Sequence, residues 1–290
     1  MHLDLWVALA GLGVGFVVGL TGMGGGALMT PVLVLVFGIQ PLAAVSSDLV
    51  AAVVMKPVGG GVHLRRGTVR TDLVRWLALG SVPAAFAGVL VLRAIGAAAV
   101  QDRLQLLLGV VLLVAATAMV ARIVMQSRRV DAATTATRRV RPVPTLLVGV
   151  VGGLIVGMTS VGSGSLMIVA LMFLYPAMST AELVGTDLVQ AVPLVLSAAL
   201  GHLLFGDLQF GLTAALLLGS VPGVYLGARV SSRAPDAIVR PALVFVLLLS
   251  ALKLLDAPNP VLLTVVGIAA CGAAAVLVTR LTRRVPALES

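Results

Sequence analysis

Long apolar runs and short polar breaks alternate along almost the whole chain. A helix needs about 20 consecutive apolar residues to cross the hydrocarbon core of a bilayer. Runs close to that length predict membrane spans at 42–62, 76–95, 104–124, 181–201, 211–228, 241–255 and 261–279. We therefore predict an all-α polytopic membrane protein.

Two further apolar segments, 5–37 and 145–175, do not read as single spans, because a glycine-rich cluster interrupts each of them. Glycine inside a helix costs about 1 kcal/mol relative to alanine. About 16 apolar residues precede the first cluster and about 11 follow it. We predict that each segment is a helical hairpin of two short arms, with the glycines at its tip.

The second half of the chain repeats the first. The motif "GLTGMGGGALM" at 19–29 returns as "GMTSVGSGSLM" at 157–167, and "SDLV" at 47–50 returns as "TDLV" at 186–189. The sequence "GSVP" also occurs in both halves, at 80–83 and 219–222. Ordered matches of aspartate and GSVP indicate an internal duplication, which is a common plan among transporters.

The basic residues predict that the two copies are inverted in the membrane. After span 42–62 the chain reads "HLRRGTVRTDLVR", with four arginines, whereas the matching "HLLFGDLQFGL" of the second copy has none. Cytoplasmic loops are enriched in Lys and Arg. The first loop is therefore predicted inside and the second outside, with the N-terminus outside, the C-terminus in the cytoplasm, and the protein in the inner cell membrane.

This topology divides the chain into four parts. We predict a first repeat at 1–120, a basic cytoplasmic linker at 121–144, a second repeat at 145–255, and an extra C-terminal span and tail at 256–290. Each repeat comprises one broken hairpin and three spans.

Composition narrows the class of function. The chain of 290 residues is 60% hydrophobic and only 11% charged, with a mean hydropathy of +1.14, so the lipid bilayer is its predicted environment. Its net charge of +9 is explained by the arginine-rich loops, and nucleic acid is not expected as a partner. With one cysteine, no metal-ligand spacing and no phosphate-binding loop, we predict no metal, no cofactor and no enzymatic activity. Assembly of several copies is compatible with the sequence.

The glycine clusters are the candidate substrate site. Free N–H groups and the positive end of the dipole at a broken helix favour an anion, and nearby hydroxyls add donors. If the two tips meet near the midplane, they form one anion site. The alternative is that the small residues serve close helix packing, as we expect for Gly11, Gly15, Gly19, Gly149, Gly153 and Gly157. The candidate binding residues are Thr21, Gly22, Gly24, Gly25, Gly26, Thr159, Ser160, Gly162, Ser163, Gly164, Ser165, Gln190 and Lys56.

Two aspartates form a second candidate group. Asp48 and Asp187, with the adjacent Ser47 and Thr186, lie about seven residues into their apolar runs. Ionisable residues inside a membrane are costly and indicate function, so a proton or a polar network beside the substrate is predicted. Alternatively, these residues only cap helices near the interface.

Three other polar residues remain open to more than one interpretation. Lys56 either attracts the anion or extends toward the inner surface. For His63 and His202, which match each other, we expect positions at the interface rather than in a proton relay.

The paired glycine motifs, the SDLV and TDLV elements and the duplicated GSVP resemble the TauE/SafE family of sulfite and organosulfonate transporters, from Leu5 to about Leu255. The resemblance implies a secondary carrier, and specifically an exporter, of small sulfur-containing anions such as sulfite or organosulfonates. An anion channel, or an importer of another small anion, is the alternative.

Overall fold

The computed structural model describes residues 4–21, 25–128, 139–230 and 236–265, and this part of the chain is helical, with no β-strand. A further helical stretch occupies 259–265. The principal helices, in chain order, are α1 (Leu5–Thr21), α2 (Gly26–Leu35), α3 (Pro41–Arg65), α4 (Thr71–Ile95), α5 (Ala97–Arg128), α6 (Pro142–Thr159), α7 (Leu166–Leu174), α8 (Thr180–Phe205), α9 (Phe210–Val230) and α10 (Asp236–Leu254).

The prediction of a polytopic, all-helical membrane protein is confirmed. Six helices of the described chain are long and apolar enough to span a bilayer, with α6 among them. Many large apolar side chains are exposed around the bundle, among them Leu79 and Phe173, as expected for a surface that faces lipid. The six spans predicted between 42 and 255 correspond to α3, α4, α5, α8, α9 and α10. The predicted span 261–279 lies mostly outside the described residues.

Both glycine clusters interrupt a helix, as predicted. The first break separates α1 from α2 and the second separates α6 from α7. At 1.5 Å per residue, α2 and α7 are only about 15 Å long, half the thickness of the hydrocarbon core. Met29 and Leu33 of α2 share a buried cluster with Val7 near the start of α1, so α2 folds back beside α1 as a hairpin arm.

Helix α1 packs closely along α9. Their contacts run from Ala8 against Gly219 to Phe16 against Gly227, so the two helices are parallel. A Cβ added at Gly219 would lie 2.7 Å from the carbonyl carbon of Ala8, which leaves no room for a side chain. Glycine is therefore required for this approach of two backbones.

The pair α4 and α6 has the matching arrangement. Its contacts run from Leu77 against Gly149 to Ala85 against Gly157, again in parallel. The first arm of each half thus packs on the fourth helix of the other half. The expected packing role is confirmed for Gly11, Gly15, Gly149, Gly153 and Gly157, each of which faces backbone atoms of the partner helix.

Helices α3 and α8 cross the centre and run antiparallel to each other. Ser46, near the start of α3, lies 2.8 Å from Nδ1 of His202 near the end of α8. At the opposite end, a Cβ added at Gly185 would lie 3.0 Å from Nδ1 of His63. These two helices carry the matched SDLV and TDLV motifs, and their pairing brings both aspartates into the interior.

Candidate functional site

The second helix break is a short irregular segment at 160–165, buried within the bundle. Ser160 ends α6 in the left-handed conformation with φ 60°, and Gly162 and Gly164 have φ 130° and 90°. The hydroxyl of Thr159 donates to the carbonyl of Ile155 at 2.7 Å. The break therefore turns sharply and presents several serine side chains to the neighbouring helices.

Asp48 is the buried acceptor that holds this break. Its side chain is 1% exposed, and its Oδ2 accepts hydrogen bonds from Ser160 Oγ at 2.7 Å and from Thr30 Oγ1 at 3.1 Å. Its other oxygen, Oδ1, is buried without a hydrogen-bond partner among the described residues. The capping alternative is wrong for both aspartates, because the helices begin earlier, with Gln40 and Ser179 as their N-cap residues.

Lys56 lies on the same helix, two turns beyond Asp48. It is 6% exposed, and its Nζ donates to Ser163 Oγ in the second break. The ammonium is also close enough to both Asp48 and Asp187 for electrostatic attraction. Lys56 is therefore a buried cation at the candidate site, and its extension toward the inner surface is excluded.

Asp187 belongs to a network on α8. Its side chain is 1% exposed and its Oδ1 accepts from Gln190 Nε2 at 3.2 Å. Gln190 also lies 2.9 Å from the sulfur of Met167 and accepts from Ser81 Oγ at 3.3 Å. The predicted polar role of Gln190 is thus directed at Asp187, in contact with α4 and α7.

The first break meets the second one at Gly26. A Cβ at Gly26 would lie 2.6 Å from the carbonyl carbon of Ser160, and one at Gly25 would lie 3.8 Å from Oδ1 of Asp48. Thr21, the last residue of α1, donates to the carbonyl of Val17 at 2.9 Å. The other two candidates of this break, Gly22 and Gly24, lie outside the described residues.

The remaining candidates are buried with different surroundings. Ser165 Oγ and Ser47 Oγ have no hydrogen-bond partner among the described residues. Thr186 Oγ1, in contrast, accepts from the main-chain N–H of Arg70 at 3.1 Å. Thr186 therefore fastens the α3–α4 loop, whereas the two serines leave polar atoms unused inside the protein.

Three contributors were not predicted from the sequence. Thr30 bonds to Asp48, and its only signal was a hydroxyl in an apolar run. Ser81 belongs to the repeated GSVP motif, which indicates the duplication but does not predict the hydrogen bond to Gln190. His202 is fully buried, hydrogen-bonding Ser46 and the carbonyl of Gly157 at 2.8 Å each, so its expected interface position is wrong. The difference has a physical cause, because a residue that borders a loop in the sequence is buried when another helix packs over it.

The chemistry of the cluster is that of a polar binding site. It combines one ammonium, two carboxylates and several hydroxyls from both halves of the chain, all of them buried within the bundle. Within the described residues, no group of three His, Cys, Asp or Glu side chains could hold a metal ion.

Comparison with known proteins shows to which family the chain belongs. The model of the sulfite exporter TauE/SafE family matches residues 7–254. The chain belongs to this family. The "Probable membrane transporter protein YjnA" of Bacillus subtilis (strain 168) is 38% identical over 263 residues, which cover 86% of this chain and 98% of that protein. The "Probable membrane transporter protein YdhB" of the same strain is 24% identical over 233 residues, 79% of this chain and 91% of that protein. No solved structure gives a significant match.

Membership of the TauE/SafE family fixes the general class of the protein. The family and its relatives are membrane transporters, so the chain is a multi-pass membrane transporter and not an enzyme. The buried cluster around Asp48 and Lys56 is its candidate transport site.

Proposed function

We propose that the protein is a secondary carrier that exports small sulfur-containing anions, such as sulfite or organosulfonates, across the inner cell membrane. The observation that carries the proposal is the junction of the two helix breaks, where Ser160 of the second half is bonded to Asp48 of the first. Broken helices that meet inside a bundle are typical of substrate sites in transporters built from repeats. The sulfur chemistry is inferred from membership of the sulfite exporter TauE/SafE family.

Donors for an oxyanion come from the second break and from α3. Ser165 Oγ is buried and unpartnered among the described residues, directly before the start of α7. Main-chain N–H groups at a helix start favour an anion, and Lys56 supplies a full positive charge nearby. Gly22 and Gly24 stay candidates from the sequence and lie outside the described residues.

Alternating access is the mechanism we propose. Antiparallel packing of the matched helices α3 and α8 supports two repeats inverted in the membrane, with the N-terminus outside and the C-terminus inside. The arginine-rich loop after α3 supports the same orientation. In such a carrier one set of helices rocks against the other around a fixed central site, which the contact between the breaks would supply.

Proton coupling is part of the proposal. A carboxylate beside an anion site repels the substrate unless it is protonated, and Asp48 and Asp187 are both buried near Lys56. An anion channel would instead need a continuous polar pathway across the bundle, whereas the buried charged side chains of the described residues lie on α3 and α8.

The test uses the full-length protein in proteoliposomes. Sulfite and ethanesulfonate uptake should saturate with concentration and respond to a pH gradient, whereas a channel would not saturate in this way. Asp48→Asn and Asp187→Asn should alter the pH profile of uptake. Gly61→Ala, on α3 in open space, is the control. Identical pH profiles in all variants would remove the proton role, and the absence of any saturable anion flux would refute the carrier.

A further inference from the structure

The charges buried around the helix breaks impose a limit on what can bind there. In the described residues, the buried charged side chains are Asp48, Lys56 and Asp187, at 1%, 6% and 1% exposure, and His202 is the buried imidazole. Asp48 and Lys56 both bond to the second break, at Ser160 and Ser163, and Asp187 is the buried carboxylate of α8, which packs on α3, so we count the three as one group. With both carboxylates ionised this group carries one net negative charge.

From this inventory we propose that the site accepts anions of a single negative charge, each together with a proton, and that Lys56 is the residue that determines this charge specificity. The inference rests on the proposed anion carrier and adds the charge class of its substrate.

The limit follows from counting charges. Protonation of one carboxyl makes the empty group neutral, and protonation of both leaves the single positive charge of Lys56. When the neutral empty group takes up one further proton, it becomes positively charged, and a bound monoanion then neutralises it. A dianion leaves a negative charge without a counter-charge even when both carboxyls are protonated, and an uncompensated buried charge is strongly disfavoured.

Among the side chains that the structure describes, other ionisable groups on the helices around α3 and α8 do not extend this capacity. Helices α2, α5, α8 and α9 pack against α3. Helix α2 carries no ionisable side chain, and Asp102, Arg103 and Arg229 of α5 and α9 are exposed near helix ends. On α8 the imidazole of His202 is directed to Ser46 and to the carbonyl of Gly157, and Glu182 accepts from the main-chain N–H of Ser179 at the helix start. The second carboxylate of the group, Asp187, is on α8 as well. Helices α4, α6 and α7 pack against α8. Helices α6 and α7 carry no ionisable side chain, and on α4 Asp72 pairs with Arg70 while Arg75 and Arg93 are exposed.

The geometry supports Lys56 as the deciding residue. Its ammonium donates a hydrogen bond to Ser163 in the second break. Asp48, two turns earlier on α3, accepts a hydrogen bond from Ser160 of the same break. The corresponding position in the second half is Val195, so the cation is present in one copy only. The site therefore has one fixed positive charge for two breaks, consistent with one singly charged substrate.

The direction of transport follows from the same balance. One proton moving with one monoanion transfers no net charge, so the flux depends on the anion and proton gradients and not on the membrane potential. Export takes place when the outward concentration gradient of the anion is larger than the opposing inward gradient of protons.

A matched series of two-carbon sulfonates tests the charge limit on the unmodified protein. Taurine is a zwitterion, ethanesulfonate carries one negative charge, and ethanedisulfonate carries two. In proteoliposomes we expect saturable transport of ethanesulfonate with one proton per anion, and competition by ethanedisulfonate that is weaker by about tenfold or more. Equal competition by the dianion would overturn the inference while leaving an anion carrier in place. Absence of saturable flux for sulfite and for all three sulfonates would refute the carrier itself.

Variants then test the residues. Lys56→Gln should lose the preference for ethanesulfonate over taurine. Lys56→Arg keeps the positive charge and should retain this preference, even if its transport rate differs from that of the unmodified protein. The double variant Asp48→Asn with Asp187→Asn fixes the charge at plus one, so ethanesulfonate transport should become independent of pH and sensitive to membrane potential. Retention of the monoanion preference in folded Lys56→Gln, judged against Gly61→Ala, would overturn the role of Lys56. A double variant that still moves one proton per anion would overturn the charge count.

Discussion

The contact between the two helix breaks makes Gly26→Ala the most informative single substitution. The built Cβ lies 2.6 Å from the carbonyl carbon of Ser160 and 2.8 Å from its Oγ, whereas ordinary contact begins at 3.4 Å. The carbonyl carbon alone requires the two breaks to separate by about 0.8 Å, and the carbonyl oxygen of Ser160, which lies closer still, requires more. A shift of this size would stretch the 2.7 Å bond from Ser160 to Asp48 to at least about 3.5 Å, where a hydrogen bond is effectively lost.

Two effects contribute to the expected loss of stability. Overpacking of a tight interior costs about 1–3 kcal/mol, and loss of a hydrogen bond to a charged group costs about 1.5–3 kcal/mol. The two overlap, because the same displacement causes both, so we expect a total of about 2–4 kcal/mol. Anion transport should fall together with stability, since the serine leaves the carboxylate at the candidate site.

The measurement is thermal unfolding of the purified protein in detergent, followed by anion uptake in proteoliposomes. Gly13→Ala is the matched control, because it makes the same chemical change within α1, away from both breaks, and nothing lies within 4 Å of its built Cβ. If Gly26→Ala unfolds at the same temperature as Gly13→Ala and transports equally well, the breaks do not meet as described.

Three further predictions test other parts of the structure. Gly162→Ala places a side chain at φ 130° and should reduce anion uptake in a protein that still folds; unchanged uptake would argue against a role for this break. His202→Ala removes the partner of the buried Gly157 carbonyl and should lower the free energy of unfolding by about 1–3 kcal/mol. The half-buried His63→Ala should have a smaller effect, and equal effects in calorimetry would contradict the burial of His202. With the native cysteine replaced, single cysteines at the exposed Arg66 and Gln209 should react with impermeant thiol reagents from opposite sides, whereas labelling from one side would exclude inverted repeats.

Local properties of the sequence were sufficient for the elements. The length of an apolar run sets whether a helix spans the membrane, and glycine-rich stretches weaken a helix wherever they occur, so both breaks were predicted at their places. Glycines spaced by four residues present one face of a helix, which explains why the packing role of Gly149 and Gly153 was predictable. The matched SDLV and TDLV motifs likewise gave the duplication.

Side-chain partners were decided by the tertiary structure. Asp48 bonds to residues 18 and 112 positions away, and Lys56 to one 107 positions away. No local pattern specifies such pairs, because they depend on how α3 is rotated against α2 and the second break. The same rotation separates two residues that look equivalent in sequence, since it buries His202 and leaves His63 half-exposed. The sequence by itself thus determined the helices, their breaks and the repeat, while the packing of α3 decided which charges and hydroxyls meet.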